Sequence, residues 1–153
     1  MEDFEKFYNK ALEFLSYRQR SEKEVRDKLK TKNVEPEIID KIIAKLKEKK
    51  FINDQEFARM FSESRLRFKP RSMRLIKLEL KQKGIDSETV DDLQLTNDND
   101  LESAKKLVEK RIERLKTLPK QEIYQKLGRY LASKGFNWDT IKKAIDEILD
   151  KGV

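Results

Sequence analysis

Ile76-Lys77-Leu78-Glu79-Leu80-Lys81-Gln82-Lys83-Gly84-Ile85 decides the fold, because the chain says it three times. The segment reads as a helix that stops at a glycine and is followed at once by an apolar residue. Lys32-Asn33-Val34 lies 51 residues before Lys83-Gly84-Ile85, and Lys134-Gly135-Phe136 lies 51 residues after it. Val25, Ile76 and Leu127 keep the same register, as do Leu29, Leu80 and Leu131, and Ile39, Val90 and Ile141. Upstream of each copy stands a second signature: Ala11-x-x-Phe14-x-x-x-Arg18, Ala58-x-x-Phe61-x-x-x-Arg65 and Ala104-x-x-Leu107-x-x-x-Arg111. A shared period of this length marks a helical array, which offers a long partner an extended surface rather than a pocket.

Working outward from these helix ends, glycine and proline fall at boundaries and helical periodicity fills the space between them. Nine helices are expected near 3–18, 21–32, 36–49, 54–68, 71–83, 87–94, 98–117, 119–134 and 138–150. Gly84 and Gly135 suit the left-handed residue that closes a helix, and Asn33 is the next-best residue for it. Val34, Ile85 and Phe136 can then fold back on Leu29, Leu80 and Leu131. Ser21-x-x-Glu24 and Asn53-x-x-Glu56 read as N-terminal caps, and Pro36, Pro70 and Pro119 as first-turn residues. The fold class is all-α, an elongated array of three tandem three-helix repeats over residues 1–52, 53–96 and 97–153. Trp138, Phe57, Phe61 and the tyrosines read as packing residues ahead of base-stacking platforms.

Charged residues make up 42% of the 153 residues and apolar ones 37%, which suits repeats that each bury a single stripe. There is no cysteine and no histidine, so no disulfide, no thiolate metal site and no ordinary general base at neutral pH. No glycine-rich phosphate loop or nucleophile elbow occurs. Thr96-Asn97-Asp98-Asn99-Asp100 lacks the central glycine and the distant glutamate of a calcium loop. No catalytic residue, cofactor or metal is expected. The acidic start Met1-Glu2-Asp3 is unlike a signal peptide, no stretch has transmembrane length, and a cytosolic protein away from membranes is expected.

The net charge of +7 is unevenly spread. Residues 55–83 hold nine basic and three acidic groups, residues 84–102 hold seven acidic and no basic ones, and residues 103–153 hold thirteen basic and seven acidic. Between Arg65 and Lys83 only Glu79 opposes eight cations. Arg74, Lys77 and Lys81, spaced three and four apart, share a helix face beside the apolar Met73, Ile76 and Leu80. Such a ridge can track phosphates without reading bases. The plainer alternative is a solvated face, just as Lys32, Lys83 and Lys134 also suit the negative ends of their helices.

Several stretches resemble the RecX family of regulators of the RecA recombinase. Ala11-Leu12 through Arg18-Gln19-Arg20-Ser21 to Glu24-Val25 and Lys28-Leu29 is similar to the family's opening motif. Phe51-Ile52-Asn53-Asp54-Gln55-Glu56-Phe57-Ala58 resembles its second motif. Lys69-Pro70-Arg71-Ser72 through Glu79-Leu80 to Lys83-Gly84-Ile85 resembles its central motif, with Lys69 where the family often has glycine. The likeness spans residues 8 to 149. It implies a non-enzymatic modulator that binds RecA filaments on single-stranded DNA; a monomer is expected, with double-stranded DNA as a further partner. It further implies suppression of recombination, ATP hydrolysis and coprotease function, and so modulation of DNA repair and the SOS response. Arg65, Arg67, Arg71, Arg74, Lys77 and Lys81 are the expected core of the contact surface, with Arg18, Arg20 and Arg111 secondary by repeat position. Two alternatives stay open: a general nucleic-acid-binding helical protein, and a protein-only scaffold for an acidic partner.

Overall fold

The computed structural model describes residues 2–151. The described residues form nine α-helices and no strand. They are α1 (Glu2–Tyr17), α2 (Glu22–Thr31), α3 (Pro36–Glu48), α4 (Asp54–Phe68), α5 (Met73–Gln82), α6 (Ser87–Asp92), α7 (Asp100–Leu115), α8 (Lys120–Ser133) and α9 (Trp138–Lys151). A 3-10 turn at Asn97–Asn99 leads into α7. The fold is all-α, built of three-helix segments in tandem, and each expected helix end lies within two residues of the observed one.

The helix ends carry the geometry their residues demand. Asn33, Gly84 and Gly135 have φ of 59°, 80° and 87°. The amides of Val34, Ile85 and Phe136 donate to the carbonyls of Leu29, Leu80 and Leu131 at 3.3, 3.1 and 3.3 Å, the long bond of a Schellman cap. Lys50 and Gln94 close α3 and α6 in the same left-handed region, without glycine, and the residue types give no sign of it. Ser21 forms a full capping box with Glu24. Pro36 is at the first turn of α3. Pro70 differs from expectation: α5 starts three residues later, because Ser72 takes the cap and accepts the Leu75 amide at 3.1 Å.

The described chain packs as two compact units. The first contains residues up to Phe61 together with Leu80–Leu93, and the second contains Ser62–Glu79 and everything from Gln94 onward. The first unit's core gathers Ala11, Val25, Leu29, Ile39, Ile42, Ile43 and Leu46. The second unit's core gathers Ala104, Val108, Leu127, Leu131, Ile141 and Ile145.

Each unit contains a similar joint, displaced by 51 residues at its serine and lysine and by 46 at its aspartate. In the first unit the Ser21 hydroxyl donates to the Lys83 carbonyl at 2.6 Å, and the Glu22 amide donates to Asp54 Oδ1 at 2.9 Å. In the second unit the Ser72 amide donates to the Lys134 carbonyl at 3.0 Å, and the Met73 amide donates to Asp100 Oδ1 at 3.0 Å. In both, the amide of the first residue of a repeat's second helix is satisfied by an aspartate of the repeat that follows. The serine before it bonds the lysine carbonyl at that following repeat's second-helix end, through its hydroxyl in the first unit and its amide in the second. The contact is close enough to require glycine. A Cβ on Gly84 would stand 2.5 Å from Lys23 Cβ, and one on Gly135 would overlap Ser72 Oγ and stand 3.0 Å from Leu75 Cβ. This joint explains why the two units divide the middle repeat between them: α6 and the end of α5 fold with the first repeat, and Ser62–Glu79 folds with the third.

Candidate interaction surface

The basic segment after Arg65 is sorted by one carboxylate. Glu79 accepts Arg65 Nε at 3.3 Å and Arg71 Nη1 at 3.0 Å, and all three side chains are largely shielded. Arg71 also donates to the Lys69 carbonyl at 3.0 Å. These two guanidiniums therefore tie the end of α4 and the Lys69–Arg71 turn to α5. The cations that face outward are Arg67, Lys69, Arg74 and Lys77 in the second unit, and Lys81, one turn further along α5. Arg74 reaches the Gly135 carbonyl at 3.4 Å, and no ion pair engages Lys77 or Lys81 among the described residues. Met73, Ile76 and Leu80, the neighbouring apolar positions, are buried as expected.

The secondary candidates are spoken for within the fold. Arg18 pairs with Glu24 at 2.6 Å. Arg20 lies 3.9 Å from the centre of the Phe14 ring, and Arg111 lies 3.5 Å from the centre of the Tyr130 ring, both in cation–π contact. Glu24 also accepts the Ser21 amide and Lys83 Nζ. Burial would raise its carboxyl, but the bonds from Arg18, Ser21 and Lys83 hold it down to about 2. Lys83 is thereby a partner of Glu24 as well as a helix-terminal cation.

Charge divides with the packing. The residues of the first unit carry 17 basic and 17 acidic groups, and those of the second carry 19 basic and 12 acidic, so the second unit holds the whole excess of +7. The acidic stretch 86–102 is split: Asp86, Glu88, Asp91 and Asp92 go to the first unit and neutralise it. The second unit also exposes Phe68, Leu78 and Trp138. Trp138, expected as a packing residue, is 64% exposed. It begins α9, and its indole rests by one edge on α8 at Gly128 without entering the core. Phe57 is buried and stacks on Phe61 as expected.

The first unit has an open cleft of about 410 Å³ lined by Glu22, Lys47, Ile52, Asn53, Asp54, Gln55, Asp86 and Thr89. Its polar groups are engaged locally. Glu22 pairs with Lys47 and Arg26, Asp54 accepts the Glu22 amide, and Asp86 caps α6 through the Thr89 amide. No group of three or more potential metal ligands occurs among the described residues, and no described helix is long and apolar enough to cross a membrane.

Three family models match in order: the first three-helix domain of RecX over residues 8–46, the second over 53–93 and the third over 98–145. The regulatory protein RecX of Bacillus velezensis is 37% identical over 148 residues, covering 95% of this chain and 56% of its own length. That of Bacillus subtilis is 36% identical over 149 residues, with 96% and 56% covered. That of Clostridioides difficile is 34% identical, with 93% and 68% covered. The chain thus spans about half the length of the Bacillus relatives. A crystal structure of RecX from Lactobacillus salivarius matches with a TM-score of 0.76 at 33% identity, over 95% of this chain and 96% of that one. With its three domains matched in sequence order and its fold shared with solved RecX structures, the chain belongs to the RecX family of regulatory proteins.

Proposed function

We propose that the protein is a non-enzymatic regulator that binds the RecA filament on single-stranded DNA. In doing so it restrains recombination, ATP hydrolysis and coprotease function, and so modulates DNA repair and the SOS response. The observation that carries this reading beyond family membership is the confinement of the +7 excess to one unit. A filament of protein and DNA presents dense negative charge, and a concentrated cationic face is drawn to it more strongly than a dispersed one. Arg67, Arg74, Lys77 and Lys81 are the proposed contact residues. Arg65 and Arg71 support them by fixing the turn before α5 through Glu79, and Arg18, Arg20 and Arg111, engaged with Glu24, Phe14 and Tyr130, are secondary.

The same charge distribution favours a second reading, a general binder of nucleic acid with no recombinase specificity. The two separate in one assay. ATP hydrolysis by a RecA filament preformed on excess single-stranded DNA is followed while the protein is added at physiological salt. Loss of hydrolysis at protein well below the amount needed to cover the free DNA supports the regulator. Loss that appears only when the DNA is saturated, and that extra DNA reverses, leaves the general binder.

A further inference from the structure

Among the described aromatic rings, several have a face already occupied by one of the chain's own cations. Arg20 covers Phe14, Lys45 covers Tyr8, Arg111 covers Tyr130, and Arg67 stands 5.3 Å from the centre of Phe68. Trp138 is different. It is 64% exposed, no cation of the described chain sits over it, and it belongs to the unit with the charge excess. It is also held in place. A Cβ at residue 128 would lie 3.5 Å from Trp138 Cζ3 and 3.8 Å from Cη2, so the six-membered ring lies against the α8 backbone at a bare glycine. Asn137 fixes the start of α9 beneath it by accepting the Thr140 amide at 2.8 Å. Lys142 is exposed one turn along α9, and Arg129 is exposed next to Gly128. Asp139 is the acidic neighbour in sequence.

The ring is large, pinned at one edge and mostly exposed, on a surface that also exposes a lysine one turn along its helix and an arginine next to the glycine it rests on. That suits the way unpaired bases stack on aromatic rings while lysine and arginine follow the backbone. We propose that Trp138 is a stacking platform for an unpaired base of single-stranded nucleic acid, with Lys142 and Arg129 on the adjoining phosphates. Duplex DNA keeps its bases stacked on each other and does not offer a face to the indole. The inference rests on the reading that the second unit meets nucleic acid, and it adds the residue that would distinguish single strands from duplex.

Trp138 is the only tryptophan, so its emission reports directly on the proposed contact. The full chain is titrated into labelled oligothymidylate, oligouridylate and duplex DNA, with anisotropy of the label and indole emission read together. Stacking predicts saturable quenching by single strands at the concentrations where anisotropy rises, and weak quenching by duplex. The stronger of the two single strands identifies DNA or RNA as the source of the base. Trp138→Ala is expected to weaken single-strand binding about 5- to 100-fold and duplex binding much less. Trp138→Phe, which keeps an aromatic face, is expected to recover most of the loss. Tyr17→Ala, which removes an exposed ring from the neutral unit, is expected to change nothing. Binding without quenching, or equal binding by Trp138→Ala of unchanged helix content, overturns the platform and leaves the charge-based reading intact. No binding to any oligonucleotide overturns both.

Discussion

Gly135→Ala tests the joint on which the second unit depends. Gly135 has φ of 87°, a conformation that costs an alanine about 1 kcal/mol relative to glycine. The new methyl would also overlap Ser72 Oγ and press on Leu75 Cβ at 3.0 Å. Neither neighbour can move freely. Ser72 is buried, accepts the Leu75 amide at 3.1 Å and donates its own amide to the Lys134 carbonyl at 3.0 Å. Turning the hydroxyl away gives up the cap, worth about 1 kcal/mol, and pushing α5 back strains the core by about 1–3 kcal/mol. The expected total is about 2–4 kcal/mol, or roughly 5–15 °C in melting temperature for a chain of this size. Gly128→Ala is the matched control. It adds the same methyl to a helix interior where the nearest atom is 3.5 Å away, so a gain of about 0.5–1 kcal/mol is expected. Thermal and urea unfolding followed by helical circular dichroism measures both. A Gly135→Ala protein within about 0.5 kcal/mol of the parent, or a Gly128→Ala protein destabilised as much, refutes the close-approach argument, since ordinary surface substitutions stay inside that range.

Three further outcomes follow from the same contacts. Burial raises the Asp100 carboxyl while the Met73 amide lowers it in part, so its charged form is disfavoured in the fold and the cost sets in as pH rises through the raised value. Asp100→Asn keeps the acceptor without the charge and should be neutral or stabilising at pH 7, whereas Asp100→Ala should cost about 1 kcal/mol; equal losses in urea titrations would mean the charge itself matters at the helix start. Glu24 behaves oppositely. Its contribution is fully present above the usual carboxylate range and is lost as pH falls toward about 2, by about 1–2 kcal/mol once screening of the half-exposed Arg18 is allowed for. Acid titration of Glu24→Gln should therefore show a shallower stability loss than the parent between those limits. Glu79→Gln should cost about 1–2 kcal/mol, because two shielded guanidiniums lose a shared carboxylate, and should steepen the salt dependence of oligonucleotide binding. An unchanged salt slope would place Arg65 and Arg71 away from the nucleic acid.

Much of this molecule is legible in its residues because its information is local. Helix ends depend on a glycine or asparagine followed by an apolar residue, and on serine three before glutamate; those patterns place α2, α5 and α8 within two residues. The joints are not legible in the same way. Ser72 and Lys134 are 62 residues apart, and Met73 and Asp100 are 27 apart, so no window of sequence joins them. A signal existed nonetheless: Ser21 and Ser72 keep the 51-residue register, and Asp54 and Asp100 both begin the first helix of a repeat. The basic segment was legible as charge but not as direction. Arg65 and Arg71 differ from Arg67 and Arg74 only in which side of the helix or turn they leave, and Glu79 decides the matter by lying within reach of the first pair. Trp138 looks like core from composition, since tryptophan is rarely exposed; its place at the start of α9, over a glycine of α8, is a tertiary fact.

The central claim is that the cations of the second unit, continued along α5 by Lys81, are what meets the filament. It is tested most directly by matched charge reversals, Arg74→Glu/Lys77→Glu in the second unit against Lys30→Glu/Lys41→Glu in the neutral first unit. All four residues are exposed. Each variant is titrated into RecA hydrolysing ATP on single-stranded DNA, with helix content and melting temperature matched to the parent. The account predicts that the second-unit pair loses most of the inhibition while the first-unit pair inhibits like the parent. Equal inhibition by both variants, or loss confined to the first-unit pair, would contradict it.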